Sequence, residues 1–169
     1  VSSVAVRGYS DVGGIAGSND GTILDSSSSG TATGQSGQVG GISGNSYGVI
    51  ADSFATGEIT GSAELGGLVG YCYQCTIVNA YAEGDVTGTE NYTGGLVGRN
   101  EGGLISMSYA TGNAVGVSRV GGLAGDNYGT IENSYATGNA TGSDSVGGLS
   151  GQSDGDTRYS YSVGAVTGD

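Results

Sequence analysis

Three carboxylates are the first residues whose types and spacing suggest chemistry: Glu58, Glu83 and Asp85. Glu83 and Asp85 are two residues apart, so they fall on one face of a strand. If the chain stacks as the repeat below implies, Glu58 falls opposite Asp85, and the three groups gather within about 5–7 Å. Two carboxylates that close could act as acid and base on a sugar, and three could hold Ca²⁺ through oxygen ligands. Against both, Thr and Asn are the ordinary residues at these positions, no positive group is near in sequence, and no insertion would form a cleft. A solvated acidic surface is therefore the leading expectation, with a Ca²⁺ site at Glu58, Glu83 and Asp85 as the weaker alternative. No residue is assigned a catalytic role.

The second candidate is Cys72-Tyr-Gln-Cys75. A C-x-x-C pair suggests redox chemistry at a helix start or half of a zinc site, but this one sits in a turn between strands. The chain has no histidine and no second cysteine pair, so a local turn disulfide between Cys72 and Cys75 in a secreted protein is expected. A reduced structural pair comes next.

The elements that place these residues follow from an internal period. Gly-Gly pairs begin at 13, 40, 66, 94, 121 and 147, spaced 27, 26, 28, 27 and 26 residues apart. Six copies in register are shorter than the common helical repeats and fit a unit stacked on its neighbour, where an extra residue bulges from a turn. Repeats start near 12, 39, 65, 93, 120 and 146. Residues 1–11 align with the second half of a unit, so 1–169 reads as a single domain that begins partway round a coil, with no cap visible there. Such a start suggests an excised fragment or an end that meets another copy.

Each unit reads as three short strands. The first has the form apolar-Gly-Gly-apolar-small-Gly, as in Val120-Gly-Gly-Leu-Ala-Gly125, and the Gly-Gly pair must bend or bulge it. Val12, Val39, Leu65, Val120 and Val146 form one apolar column, with Thr93 the exception; Ile15, Ile42, Leu68, Leu96, Leu123 and Leu149 form another. A turn rich in Asn, Ser, Asp and Gly follows, where local side-chain bonds and positive φ are expected. The second strand opens on Ile23, Ile50, Ile77, Ile105 and Ile131. Asp25, Asp52, Asn79 and Asn133 then recur at one corner, where stacked side chains would bond the backbone of adjacent coils.

The third strand, Tyr135-Ala-Thr-Gly-Asn-Ala-Thr141, alternates small inward residues with an outward row. Its outward columns define a candidate binding face: Phe54, Tyr81, Tyr109, Tyr135 and Tyr161 in the first, Thr111 and Thr137 in the second, and Thr60, Thr87, Thr141 and Thr167 in the last. A bend that turns the aromatic column into the core is the competing expectation. The predicted fold is thus all-β, a right-handed parallel β-solenoid of about six coils of 26–28 residues with three short strands per coil.

Composition agrees. With 38 glycines, no proline, no tryptophan and one phenylalanine, the chain lacks the makings of an ordinary globular core, and glycine without a Gly-X-Y period excludes collagen. Sixteen acidic residues against four arginines and no lysine give a net charge of -12. Nucleic acid and anionic membrane surfaces are therefore not expected as partners. No run is long and apolar enough to span a bilayer, and no signal peptide or anchoring tail is visible, so the chain reads as mature material or part of something longer.

The recurring pattern G-G-L-V-G-x-N-x-G-x-I-x-N-S-Y-A-T-G-x-V-x-G, nearest at 94–112 and 121–142, closely resembles the GLUG repeat. That repeat occurs in arrays within large bacterial and archaeal surface proteins, including haemagglutinin-type adhesins and the non-catalytic part of streptococcal IgA-cleaving metallopeptidases. The resemblance covers essentially the whole chain and implies a secreted or surface solenoid without implying one activity. The metallopeptidase's H-E-x-x-H is absent, so nothing catalytic carries over.

The expected function is that of a non-enzymatic extracellular structural or adhesive solenoid, a stalk or fibre-forming segment at the cell surface. Its partner would be itself, end to end or laterally, or a surface glycan. An ice-binding solenoid using the Thr and Asn face is the alternative, although Glu58, Glu83, Asp85 and Val115 interrupt that face; a carbohydrate-active enzyme ranks below it. The sequons at Asn91 and Asn139 would permit glycosylation in a secretory setting.

Overall fold

The computed structural model describes residues 5–168, and among these it contains strands and turns and no helix. The chain winds as a parallel β-solenoid of about six coils, each residue pairing with its counterpart one repeat away. The three runs expected per coil are present, two of them broken by bends, so that five parallel ladders run along the rod. In the second coil these strands are Ala32–Gly34, Val39–Gly40, Ser43–Ser46, Val49–Ala51 and Phe54–Ala55.

The Gly-Gly pair breaks the first run, and the reason is crowding rather than an unusual φ. A Cβ on Gly40 would lie 2.2 Å from the carbonyl oxygen of Ser43, and one on Gly41 would lie 2.4 Å from the carbonyl oxygen of Gly67 in the next coil. The first glycine thus permits the sharp corner and the second permits close stacking. Three of the turn glycines behave the same way: a Cβ on Gly48, Gly129 or Gly155 would meet a carbonyl oxygen of the adjacent coil at 2.0–2.2 Å.

Positive φ, expected in the turns, is found there at Gln74 and Gly102 but not at Gly21, Gly48, Gly129 or Gly155. Among the described glycines only Gly37 and Gly102 adopt it. Two columns of non-glycine residues adopt it instead. One is the corner of Asp25, Asp52, Asn79, Met107, Asn133 and Tyr159, with φ between 49° and 52°. Asn and Asp recur there because they tolerate the left-handed conformation best among L-residues with a side chain. Side chains in this column meet one another, since Asn79 donates to Asp52, where bonds to the backbone of adjacent coils are expected. The second column, Asp11, Glu64, Tyr92, Arg119 and Ser145, immediately precedes the first residue of five of the six Gly-Gly motifs, Val12, Leu65, Thr93, Val120 and Val146.

The core is a set of stacked like residues. Ile50, Ile77, Ile105 and Ile131 are fully buried, as are Ile42, Leu68, Leu96 and Leu123. Ile15 is 48% exposed, so its column closes only from the second coil onward. A serine column lies beneath the corner: Ser53, Ser108 and Ser134 are buried, each hydroxyl donating to the carbonyl two residues back and accepting an N–H from the adjacent coil. These bonds satisfy backbone groups that would otherwise be orphaned at the bend.

Candidate functional site

Burial alternates without interruption from Phe54 to Thr60: Ala55, Gly57 and Ile59 point inward, and Phe54, Thr56, Glu58 and Thr60 point out. The same alternation recurs at 81–87, 109–115 and 135–141, which places the residues of the candidate face on one side of the rod. Phe54, Tyr81, Tyr109, Tyr135 and Tyr161 pair in direct register. Tyr81, Tyr109 and Tyr135 are half-buried, and Tyr161 is exposed. The bend does not rotate the aromatic column into the core.

Register forces the rings to stack. Successive centroids lie 4.8, 4.8, 5.0 and 5.2 Å apart, with planes within 6° of parallel. The separations are close to the 4.7–4.9 Å spacing of strands and fall in the range of offset aromatic stacking. Each interior ring therefore has a ring on either side, and the column presents edges and hydroxyls outward rather than ring faces. Burial raises the Tyr109 phenol above its ordinary value, with Tyr81, Tyr135 and Glu83 pushing the same way.

At the far side of the face, Thr33, Thr60 and Thr87 stand in register, interrupted by Val115 and resumed by Thr141 and Thr167. The Thr33 and Thr60 hydroxyls are 3.1 Å apart and bond each other. Thr111 and Thr137 are exposed between this column and the rings.

The carboxylate cluster takes a different form from the cation site considered above. Glu58 and Asp85 do share a column, but Asp85 Oδ1 accepts both the backbone N–H of Asn113 at 2.8 Å and its Nδ2 at 3.1 Å. The Asn113 amide oxygen in turn accepts the Asn139 N–H, and the Asn139 amide oxygen accepts that of Ala165. Asp85 is thus the first rung of an amide ladder along the third run. Among the described residues no three Asp, Glu, Cys or His side chains are grouped to hold a metal, and Glu58, Glu83 and Asp85 do not form such a group. Of the sequon residues, Asn91 is exposed and Asn139 belongs to this ladder.

Cys72 and Cys75 are bonded to each other and buried. Cys72 occupies a rung of a second ladder, Asn19, Ser46, Cys72, Asn100, Asn127 and Ser153. Asn100 Nδ2 donates to Asn127 Oδ1 at 2.7 Å within a closed environment.

Sequence reasoning missed a polar cluster in the crease beside that ladder. Arg99 lies between the rings of Tyr71, Tyr92 and Tyr128, 5.5–5.8 Å from each centroid. It pairs with Glu101 at 3.1 Å and Glu64 at 3.8 Å, while Arg119 donates to the Tyr92 hydroxyl at 2.7 Å. Asp126, fully buried, lies 3.5 Å from Arg119 and 4.0 Å from Arg99. Burial pushes its carboxyl up, with Arg119 and Arg99 pulling the other way. Burial also pushes the Tyr71 phenol up, reinforced by its hydrogen bond to Glu101. Two of only four arginines, Arg99 and Arg119, converge on one carboxylate; the available signal was that Arg99 and Asp126 depart from Ser18, Asn45 and Gln152 in the same column. Among the described residues no helix is long and apolar enough to cross a membrane.

The family model of the GLUG motif matches the chain three times, at residues 61–87, 89–115 and 116–141. No curated protein and no solved structure matches it.

Proposed function

We propose that this chain, a solenoid carrying three GLUG repeats across residues 61–141, is a non-enzymatic structural or adhesive rod that works outside the cell. Neither the repeat nor the solenoid fold is typical of enzymes, and the carboxylates with the best spacing for catalysis include one held in an amide ladder. The Cys72–Cys75 disulfide supports an oxidising, extracellular setting.

The observation that carries the reading is the regular outward face, on which phenol and threonine hydroxyls repeat at the coil spacing. Ring faces are taken up by neighbouring rings, so a partner is held by hydrogen bonds to this hydroxyl lattice and by ring edges. A net charge of -12 sets two copies against each other, which favours a neutral, hydroxyl-rich surface glycan over a second copy. Retention of the purified chain on a panel of insoluble neutral polysaccharides tests this, and sedimentation velocity over a concentration series tests self-association.

Ice binding is a second reading, favoured by the in-register Thr33, Thr60 and Thr87 column. Thermal hysteresis that disappears in Thr60→Tyr/Thr141→Tyr would select it.

A further inference from the structure

The aromatic column has a property that does not depend on what the face contacts. Tyr81, Tyr109, Tyr135 and Tyr161 are consecutive, parallel and 4.8–5.2 Å apart, centroid to centroid. In-register pairing makes each ring nearly a translated copy of the one before, so equivalent ortho carbons are also about one coil apart. The phenols sit at the solvent edge, half-buried or exposed, and soluble one-electron oxidants reach them there. Phe54 closes the column with a ring that stacks but has no phenol.

We propose that this column is an oxidative cross-linking site, at which adjacent tyrosines couple through their ortho carbons to form dityrosine bridges between neighbouring coils. The oxidant is peroxide acting through a peroxidase-type one-electron catalyst supplied by the surroundings. Each of two phenols gives up one electron to the catalyst and one proton to solvent. The two phenoxyl radicals form a single carbon–carbon bond, and the hydrogen on each joined carbon moves to oxygen as the rings regain aromaticity. One peroxide becomes two waters, and the protein loses two hydrogens per bridge.

Proximity makes the reaction intramolecular. Radicals on a mobile chain must find each other by diffusion, whereas these are held side by side at high effective concentration. Tyrosines outside the column lack this arrangement: Tyr9 and Tyr159 are the most exposed, at 71% and 82%, and neither has a stacked ring partner among the described residues. Each bridge would join residues 26 to 28 positions apart in sequence, stapling one coil to the next.

The test treats dilute protein with peroxidase and peroxide, then follows dityrosine fluorescence, intact mass and cross-linked peptides. The expected result is bridges at Tyr81–Tyr109, Tyr109–Tyr135 and Tyr135–Tyr161, at a yield independent of protein concentration. Tyr109→Phe keeps the stack but removes two of these three pairs, leaving Tyr135–Tyr161 alone. The proposal is overturned if bridges form mainly between molecules through Tyr9 or Tyr159. It is equally overturned if Tyr109→Phe leaves the bridge yield unchanged, or if Tyr159 is oxidised while no column pair couples.

Discussion

Cys72 and Asn100 face each other in one parallel ladder, and each closes its own turn onto the residue three positions later. Asn100 does so by accepting the Gly103 N–H at 3.1 Å and donating to the Gly103 carbonyl at 3.2 Å. Cys72 does so through its bond to Cys75. The two turns even share a left-handed residue before the closing position, Gln74 in one and Gly102 in the other. The disulfide therefore takes the place of an asparagine turn lock.

Cys72→Asn/Cys75→Gly should rebuild the turn of the adjacent coil and fold normally. Reduction of the wild-type disulfide should cost about 2 kcal/mol, the loop-entropy value for so short a ring. Asn100→Ala, which strands the Gly103 N–H and removes the donor to Asn127, should cost about 1–3 kcal/mol. Urea denaturation of the four species checks the ordering, and a double variant less stable than the reduced protein would refute the equivalence.

Met107 holds φ at 49° in a column otherwise dominated by Asp and Asn, and it is exposed. A left-handed backbone costs most L-residues roughly 1–2 kcal/mol, and asparagine less. Met107→Asn should thus raise stability by about 0.5–1 kcal/mol. Thermal and chemical unfolding would show it; a destabilised variant would mean that the methionine side chain makes a compensating contact.

Asp126 gives the rod a specific pH response. Burial raises its carboxyl above the ordinary value of 3.8 in the folded chain. The folded protein then holds this proton more tightly than the unfolded chain does. The group's contribution to stability is fully present below the ordinary value and is lost as pH rises through the raised one. Across that window, acidification should shift the stability difference between wild type and Asp126→Asn in favour of wild type. Denaturation of both proteins at several pH values measures it, and a difference that stays flat or moves the other way contradicts the assignment.

Tyr109 stacks on Tyr81 and on Tyr135. Aromatic pairs contribute about 0.5–1.5 kcal/mol each beyond burial, so Tyr109→Ala should lose about 1–3 kcal/mol from stacking alone. Tyr109→Phe should be close to neutral. Equal losses for the two would mean that the hydroxyl, not the ring stack, carries the contribution.

The solenoid was legible because its physics is periodic: Gly-Gly pairs, apolar columns and the alternation from Phe54 to Thr60 each repeat with the coil. What could not be read were features that depend on the third dimension between coils. The bend in the first run needs glycine because a Cβ at Gly40 would collide with the carbonyl oxygen of Ser43, a constraint no propensity encodes. The hydroxyls of Ser53 and Ser108 read as ordinary polar groups from sequence because their N–H partners, Ser26 and Ala80, lie a coil earlier. Asp85 reads from the repeat as a carboxylate beside Glu58 in the preceding coil, whereas its partner is Asn113 in the following one, whose amide occupies it. The Arg99–Asp126 cluster lay in positions where the repeat is variable, and periodic reasoning discounts those.

The contact role of the Tyr and Thr face is tested most directly by comparing wild type with Thr60→Glu/Thr87→Glu/Thr141→Glu on a panel of insoluble neutral polysaccharides. All three threonines are exposed, so the variant should keep its fold, as far-ultraviolet circular dichroism would verify. The expected result is retention of wild type on at least one glycan and a loss of about tenfold or more in the variant, equivalent to about 1.4 kcal/mol or more of binding. Equal retention of the two folded proteins, or none of wild type on any glycan, would contradict this face as the contact surface.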